Sequence, residues 1–305
     1  MEAEQKIRSL TLTGYKRRTN TMDARRPDFA GSWYPAGKRE CARAIEELME
    51  ESTHCPGAGA AIGGIVPHAG WFYSGKLACN VIRCLAEDPT PDTCIIFGRH
   101  LHPTSPNYIM KEGAWRTPLG DLEIDAEVAG LLVGEFEFVV ETAWKYEPDN
   151  TIELQLPFIK YFFGAIRIVP MGLPPKKNSL LIAKRAAEIA KEFGRKTIII
   201  GSTDLTHYGY NYGFLPKGTG EDAVEWVKQE NDRRVIDLML QMDGAGVINE
   251  ALSSQNACCP GAAASAMEAS MVLGAKKAIE VGYYTSYDVR PDSSFVGYVG
   301  ILFRS

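Results

Sequence analysis

Three of the five histidines in this 305-residue chain lie just past apolar runs of the kind that form buried strands. His68 follows Ile65-Val66-Pro67, His100 follows the run 93–98, and His207 comes shortly after the run 196–201. If these strands are parallel, the three imidazoles fall on one edge of one sheet, where open α/β sheets bind ligands. A single loop histidine is more often structural than catalytic. Three at equivalent topological positions, when only two others exist, reverse those odds. Neutral imidazole is a common metal ligand, and mixed N, O and S donor sets suit iron, copper or zinc.

A mononuclear site needs a third ligand, and Cys258-Cys259 offers one. Pro260 marks the first turn of the helix that follows, and a helix N-terminus lowers a thiol's pKa. Two small residues packed at a helix start would read the same way. Asp204 shares a loop with His207 and suits either orienting that ring or accepting a proton; a turn-forming aspartate is the plainer alternative. Glu153, between Ile152 and Leu154, is a candidate buried carboxylate near the site, set against a solvated helical glutamate. His54, beside Cys55, reads as a helix C-cap.

The elements that must hold these groups follow from periodicity. Apolar positions Cys41, Ile45, Leu48 and Met49 share one face of a helix over 38–51. Strands are expected over 60–66, 93–98, 136–140, 166–171, 196–201, 278–284 and 296–303. Helices are expected over 74–85, from Ile124, over 151–163 despite Pro157, over 179–192, 221–242, near 245–252, and over 262–273. The alternation predicts an α/β fold, a mostly parallel central sheet with helices on both faces. Residues 1–24 lack apolar periodicity and read as a tail, with Met22 an alternative start; 25–305 read as a single domain.

Composition narrows the function classes. The formal charge of -5, without a dense basic cluster, gives no case for nucleic acid. No apolar run approaches the roughly 18 residues of a membrane span, and the N-terminus lacks a signal peptide's apolar core, so a cytoplasmic protein is expected. Seven cysteines without framework spacing fit a reducing compartment, with Cys41, Cys79, Cys84 and Cys94 as small buried hydrophobes. No phosphate loop, dinucleotide fingerprint or GxSxG elbow is present.

Five segments, in order, carry a resemblance: Ala30-Gly31-Ser32-Trp33-Tyr34, Val66-Pro67-His68-Ala69-Gly70, Trp115-Arg116-Thr117-Pro118-Leu119-Gly120, Ser202-Thr203-Asp204-Leu205-Thr206-His207 and Asp292-Ser293-Ser294. Together they resemble the Memo family from about Arg26 to the C-terminus. The resemblance implies a fold like that of class III extradiol dioxygenases, with two histidines and a cysteine where those enzymes hold Fe(II) with two histidines and a glutamate. The first histidine carries over to His68. The second, usually in G-x-x-H, carries over to His100 by its spacing to Trp115, with His102 the alternative. The cysteine carries over to Cys258, with Cys259 in a glycine's place. Asp204 and His207 would line the pocket. Asn150-Thr151-Ile152-Glu153 departs from the family's His-Ser-x-Glu, keeping the glutamate and losing the histidine.

The functional expectation is a metal-binding protein, Fe(II) first, copper second, zinc third, with a redox or dioxygenase-like reaction. A non-catalytic protein that binds metal or a peptide in the same pocket is the second reading. A thiol-dependent hydrolase using Cys258 with His207 is the third. A small-molecule or peptide ligand is expected in the pocket, and the resemblance adds radical-SAM companions.

Overall fold

The apolar runs form strands whose register brings the three histidines toward one edge. The computed structural model describes residues 23–50, 55–87 and 91–305. The strands are β1 Ala24–Arg25, β2 Ala61–Val66, β3 Thr93–Gly98, β4 Tyr108–Met110, β5 Ala114–Thr117, β6 Gly120–Glu123, β7 Val139–Glu141, β8 Arg167–Gly172, β9 Thr197–Ser202, β10 His207–Tyr208, β11 Lys277–Thr285 and β12 Phe295–Arg304. The helices are α1 Lys38–Glu50, α2 Trp71–Leu85, α3 Ala126–Glu135, α4 Asn150–Glu153, α5 Leu156–Phe163, α6 Lys177–Glu192, α7 Glu221–Trp226, α8 Asp232–Leu240, α9 Gly244–Ser254, α10 Pro260–Val272 and α11 Ser286–Val289.

The main sheet runs β10-β12-β2-β9-β3-β8-β4-β7, with β11 on β12. The strands β2, β9, β3 and β8 are parallel neighbours, and in them all but three residues are buried. Burial on both faces suits their near-continuous apolar sequences. Beyond this parallel centre the sheet is mixed: β12 is antiparallel to β2, β10 and β11, and β4 is antiparallel to β8. The expected α/β fold, with a parallel centre covered by helices, holds; antiparallel pairs join it at both flanks, while the pair at one edge, β4 with β7, is again parallel. The connections explain it. Only nine residues separate β11 from β12, too few for the crossover that parallel pairing needs.

Helices cover both faces. A Cβ on Gly63 would meet Ser270 Oγ of α10 at 2.5 Å, and one on Gly64 would meet Val81 Cγ1 of α2 at 2.6 Å. Adjacent strand residues point to opposite faces, so α10 and α2 lie on opposite sides of β2. The alanines of α10 are buried around most of the helix, which packs on β9 and against α6 and α9.

Several boundaries differ from those read off the sequence. The helix expected over 151–163 breaks into α4 and α5, because Pro157 is tolerated in the first turn of a helix and not in its interior. The helix expected over 221–242 is interrupted by a π-helical turn, Val227–Asn231. That turn sets buried Asn231 and Asp232 both against Thr206, whose N–H donates to Asp232 Oδ1 at 3.0 Å. Ala24, expected at the end of the tail, pairs with Ala114. Residues 1–22 of that tail and His54 lie outside the described residues.

The cysteine reading needs one correction. Cys84 is not a free buried thiol but is disulfide-bonded to Cys55, their Cα atoms 5.4 Å apart, within the range such a bond spans. Cys41, Cys79 and Cys94 are free and buried, as expected. A disulfide is rare in a reducing cytosol, so cysteine usage does not support the cytoplasmic expectation. Among the described residues, no helix is long and apolar enough to cross a membrane.

Glu153 is fully buried, yet its carboxylate is committed to the fold. It accepts from the backbone N–H of Asp28 and Phe29 at 2.8 and 2.7 Å and from Tyr34 Oη at 3.0 Å. It thereby pins the aromatic segment that carries Trp33 to α4. Glu153→Ala leaves these donors without an acceptor and is expected to cost about 2–4 kcal/mol. Urea unfolding checks this, and an unchanged midpoint would refute the anchoring role.

Candidate metal centre

Parallel register places Val66, the end of β2, opposite Ser202, the end of β9. His68 follows and is 2% exposed. Its backbone N–H donates to Asp204 Oδ1 at 2.7 Å, and its Nδ1 lies 3.0 Å from Ser202 Oγ. Asn150 Nδ2 donates to the His68 carbonyl at 3.2 Å and Gln155 Nε2 to that of Pro67 at 2.9 Å. Loop and ring are fixed from both sides, which leaves Nε2 to point at Cys258 Sγ, 3.2 Å away.

His100 follows β3 after a single residue, Arg99, whose φ of 79° lies in the left-handed region. Such a backbone costs a non-glycine residue roughly 1 kcal/mol or more. Arg99 is held there by Thr151 Oγ1, which accepts its N–H at 2.6 Å, and by Glu141 and Glu147, which take its guanidinium at 2.7 and 2.9 Å. Gly98 has no alternative: a Cβ there would come within 2.2 Å of Thr151 Oγ1. This sharp turn aims the shortened loop inward, and His100 Nδ1 reaches Cys259 Sγ at 3.4 Å. His102 turns away, its Nδ1 2.8 Å from Thr104 Oγ1.

The cysteines enter on the N-terminus of α10. The Cys258 N–H donates to the Asp204 carbonyl at 3.1 Å and the Cys259 N–H to Thr203 Oγ1 at 3.0 Å. The Asp204 N–H donates in turn to Cys258 Sγ at 3.3 Å. The result is a cluster in which one ligand atom each from His68, His100, Cys258 and Cys259 lie within 4.8 Å of one another. The structure thus brings together His68, His100 and Cys258, with Cys259 beside them.

His207 stands apart from that cluster. Its Nδ1 lies 3.1 Å from the Leu205 carbonyl and its ring edge packs on Tyr212. With Trp33, His68, His100, Asp204 and Arg290 it lines a cavity of about 720 Å³. Glu153 is not among the lining residues of that cavity. Ser202, which orients His68, and Arg290 were missed by sequence reasoning. Ser202 does lie in the Ser202–His207 motif, whereas no local pattern marks Arg290.

The electrostatics hold Cys258 as thiolate and His68 and Cys259 in their protonated forms. Burial raises the Cys258 thiol, but a hydrogen bond from Cys259 and the charge of His68 outweigh it and hold the thiol well below its ordinary value. Burial, and then the neighbouring Cys258, push Cys259 the other way. For His68, burial acts downward, and the Asp204 and Cys258 charges raise it to about 9. Burial also lifts the Asp204 carboxyl above the usual range.

Without metal, then, His68 carries a proton below about pH 9. A metal bound through His68 would have to displace that proton, so its affinity is expected to rise between pH 6 and 8 by about ten-fold per unit for each proton released. A titration monitored by chelator competition checks this, and a flat profile would exclude His68 as a ligand. In the metal-free protein Cys258 is expected to be alkylated first among the free cysteines at pH 7, because thiolate is the nucleophile. Peptide mapping after limiting iodoacetamide would show otherwise if Cys41, Cys79 or Cys94 led.

Comparison with known proteins agrees with the motifs. A family model described as Memo-like protein matches residues 25–302. A MEMO1 family protein of Thermococcus onnurineus is 34% identical over 92% of this chain and 99% of its own length. Relatives from Pyrococcus abyssi, at 34%, and Methanopyrus kandleri, at 35%, cover the same shares of both chains. Among solved structures, an uncharacterized protein of Escherichia coli K12 aligns over 79% of this chain and 99% of its own, with 10% identity and a TM-score of 0.49. A match of nearly the whole chain by the family model, with relatives alike over nearly their full length, establishes that this protein belongs to the Memo family.

Proposed function

We propose that this protein is a mononuclear metal protein in which His68, His100 and Cys258 hold iron or copper, and that it carries out a redox, dioxygenase-like reaction. The observation that supports this most is the convergence of their donor atoms within 4.8 Å, with His68 and His100 also on the wall of the large cavity. Imidazole and thiolate are donors that suit iron and copper, so the residues present fit such an ion. A bound iron or copper would supply one-electron chemistry toward oxygen or an organic substrate.

The chain's own groups do the rest. Ser202 and Asp204 orient His68 through Nδ1 and the backbone. Asp204, with its raised pKa, and His207 are the proton-handling groups on the cavity wall. The half-exposed Trp33 and exposed Phe72 at the cavity wall suit an aromatic small molecule or a peptide side chain.

One observation favours the non-catalytic alternative. Asn150 stands on the cavity wall and has no titratable proton to exchange. A thiol hydrolase is less well served, because Cys258 Sγ hydrogen-bonds His68 and not His207.

Metal analysis of protein purified without oxygen tests the site. His68→Ala and Cys258→Ala are each expected to lower metal affinity by about 100-fold or more. Undiminished metal content in both variants would sink the reading. Oxygen consumption by the Fe(II)-loaded protein with a catechol panel tests the reaction, and a flat trace would favour binding over turnover.

A further inference from the structure

The Cys259 side chain sits at the N-cap of α10 but makes no capping hydrogen bond. Only 2% of the residue is exposed, and its Sγ lies 3.7 Å from Cys258 Sγ and 3.4 Å from His100 Nδ1. A tetrahedral ion with bonds of about 2.3 Å to sulfur and 2.0–2.1 Å to nitrogen requires its sulfurs about 3.75 Å apart and each sulfur about 3.5 Å from each nitrogen. The observed S–S separation of 3.7 Å and the S–N separations of 3.2 and 3.4 Å are already close to those edges.

We propose that Cys259 is a fourth protein donor, so that the His68, His100, Cys258, Cys259 set narrows the iron-or-copper site proposed above toward thiophilic ions, Cu(I) or Zn(II), over Fe(II). The inference rests on the site described above and adds a donor to it. Two thiolates and two imidazoles form a set suited to a soft or borderline ion, and the second thiolate weakens the case for iron. His68 and Cys259 are buried and His100 is exposed, so approach to the ion is from the His100 side.

Co(II) loading of the full chain, reduced and under argon, tests this by counting thiolates. Wild type is expected to show an intense sulfur-to-cobalt charge-transfer band with a tetrahedral ligand-field spectrum. In Cys259→Ala the band should fall to about half, and Zn(II) affinity, measured by chelator competition, by about 100-fold. The zinc-over-iron preference should narrow with it. Circular dichroism and thermal melting of the metal-free variant show that it is folded. A folded Cys259→Ala with an unchanged band and unchanged Zn(II) affinity would overturn the fourth ligand and leave the three-donor site standing. If His68→Ala also keeps the wild-type spectrum, the three-donor reading itself fails.

Discussion

The donor cluster depends on one buried residue, Asp204. Its Oδ1 fixes the backbone of His68 at 2.7 Å, its carbonyl fixes the backbone of Cys258 at 3.1 Å, and its N–H donates to Cys258 Sγ at 3.3 Å. Three segments far apart in sequence are thus registered on a single peptide unit and its side chain. A buried carboxylate without such partners would be costly, and here the hydrogen bonds that repay the cost are those that assemble the site. The support continues outward: Thr206, two residues on, donates to buried Asp232, which also accepts from Tyr283 Oη at 2.8 Å.

Much of this was legible in the sequence because it rests on local patterns. Uninterrupted apolar runs identified β2, β3 and β9, and a histidine closely following each of two of them gave His68 and His100. What was not legible depends on distance or on counting. Strand direction at the sheet's flanks is set by what each connection can span. The Cys55–Cys84 bond joins residues 29 apart whose spacing carries no framework signature. Glu153 has an apolar setting that fits a site carboxylate as well as an anchor, and only the three donors from residues 28–34 decide for the anchor. Cys259 was visible as a second thiol, but which sulfur faces which imidazole needs coordinates.

Arg99 shows how a changed loop length can be absorbed. The stretch from β3 to His100 is one residue shorter than the pattern the family resemblance implies. The left-handed backbone at Arg99 makes the turn in the space available. Strain of this kind persists only where surrounding structure over-determines it. Here Glu141, Glu147, Thr151 and the Tyr108 ring, over which the guanidinium lies 3.9 Å from the centroid, all hold the same residue. Strain and stabilisation sit beside a proposed ligand, which is where a precise imidazole position matters most.

The departures from the family pattern pull in one chemical direction. At 150 an asparagine amide donates to the His68 carbonyl, so this position holds a loop and moves no proton. At 259 a thiol faces the cluster. One change puts a non-titrating amide on the wall and the other places a second soft donor atom in the cluster. The His207 Nδ1 lies 3.1 Å from the Leu205 carbonyl, so this ring is held by its own loop and not by the cysteine cluster. Were an ion held here, a second thiolate beside the first would shift the donor set toward softer ions than two imidazoles and one thiolate alone.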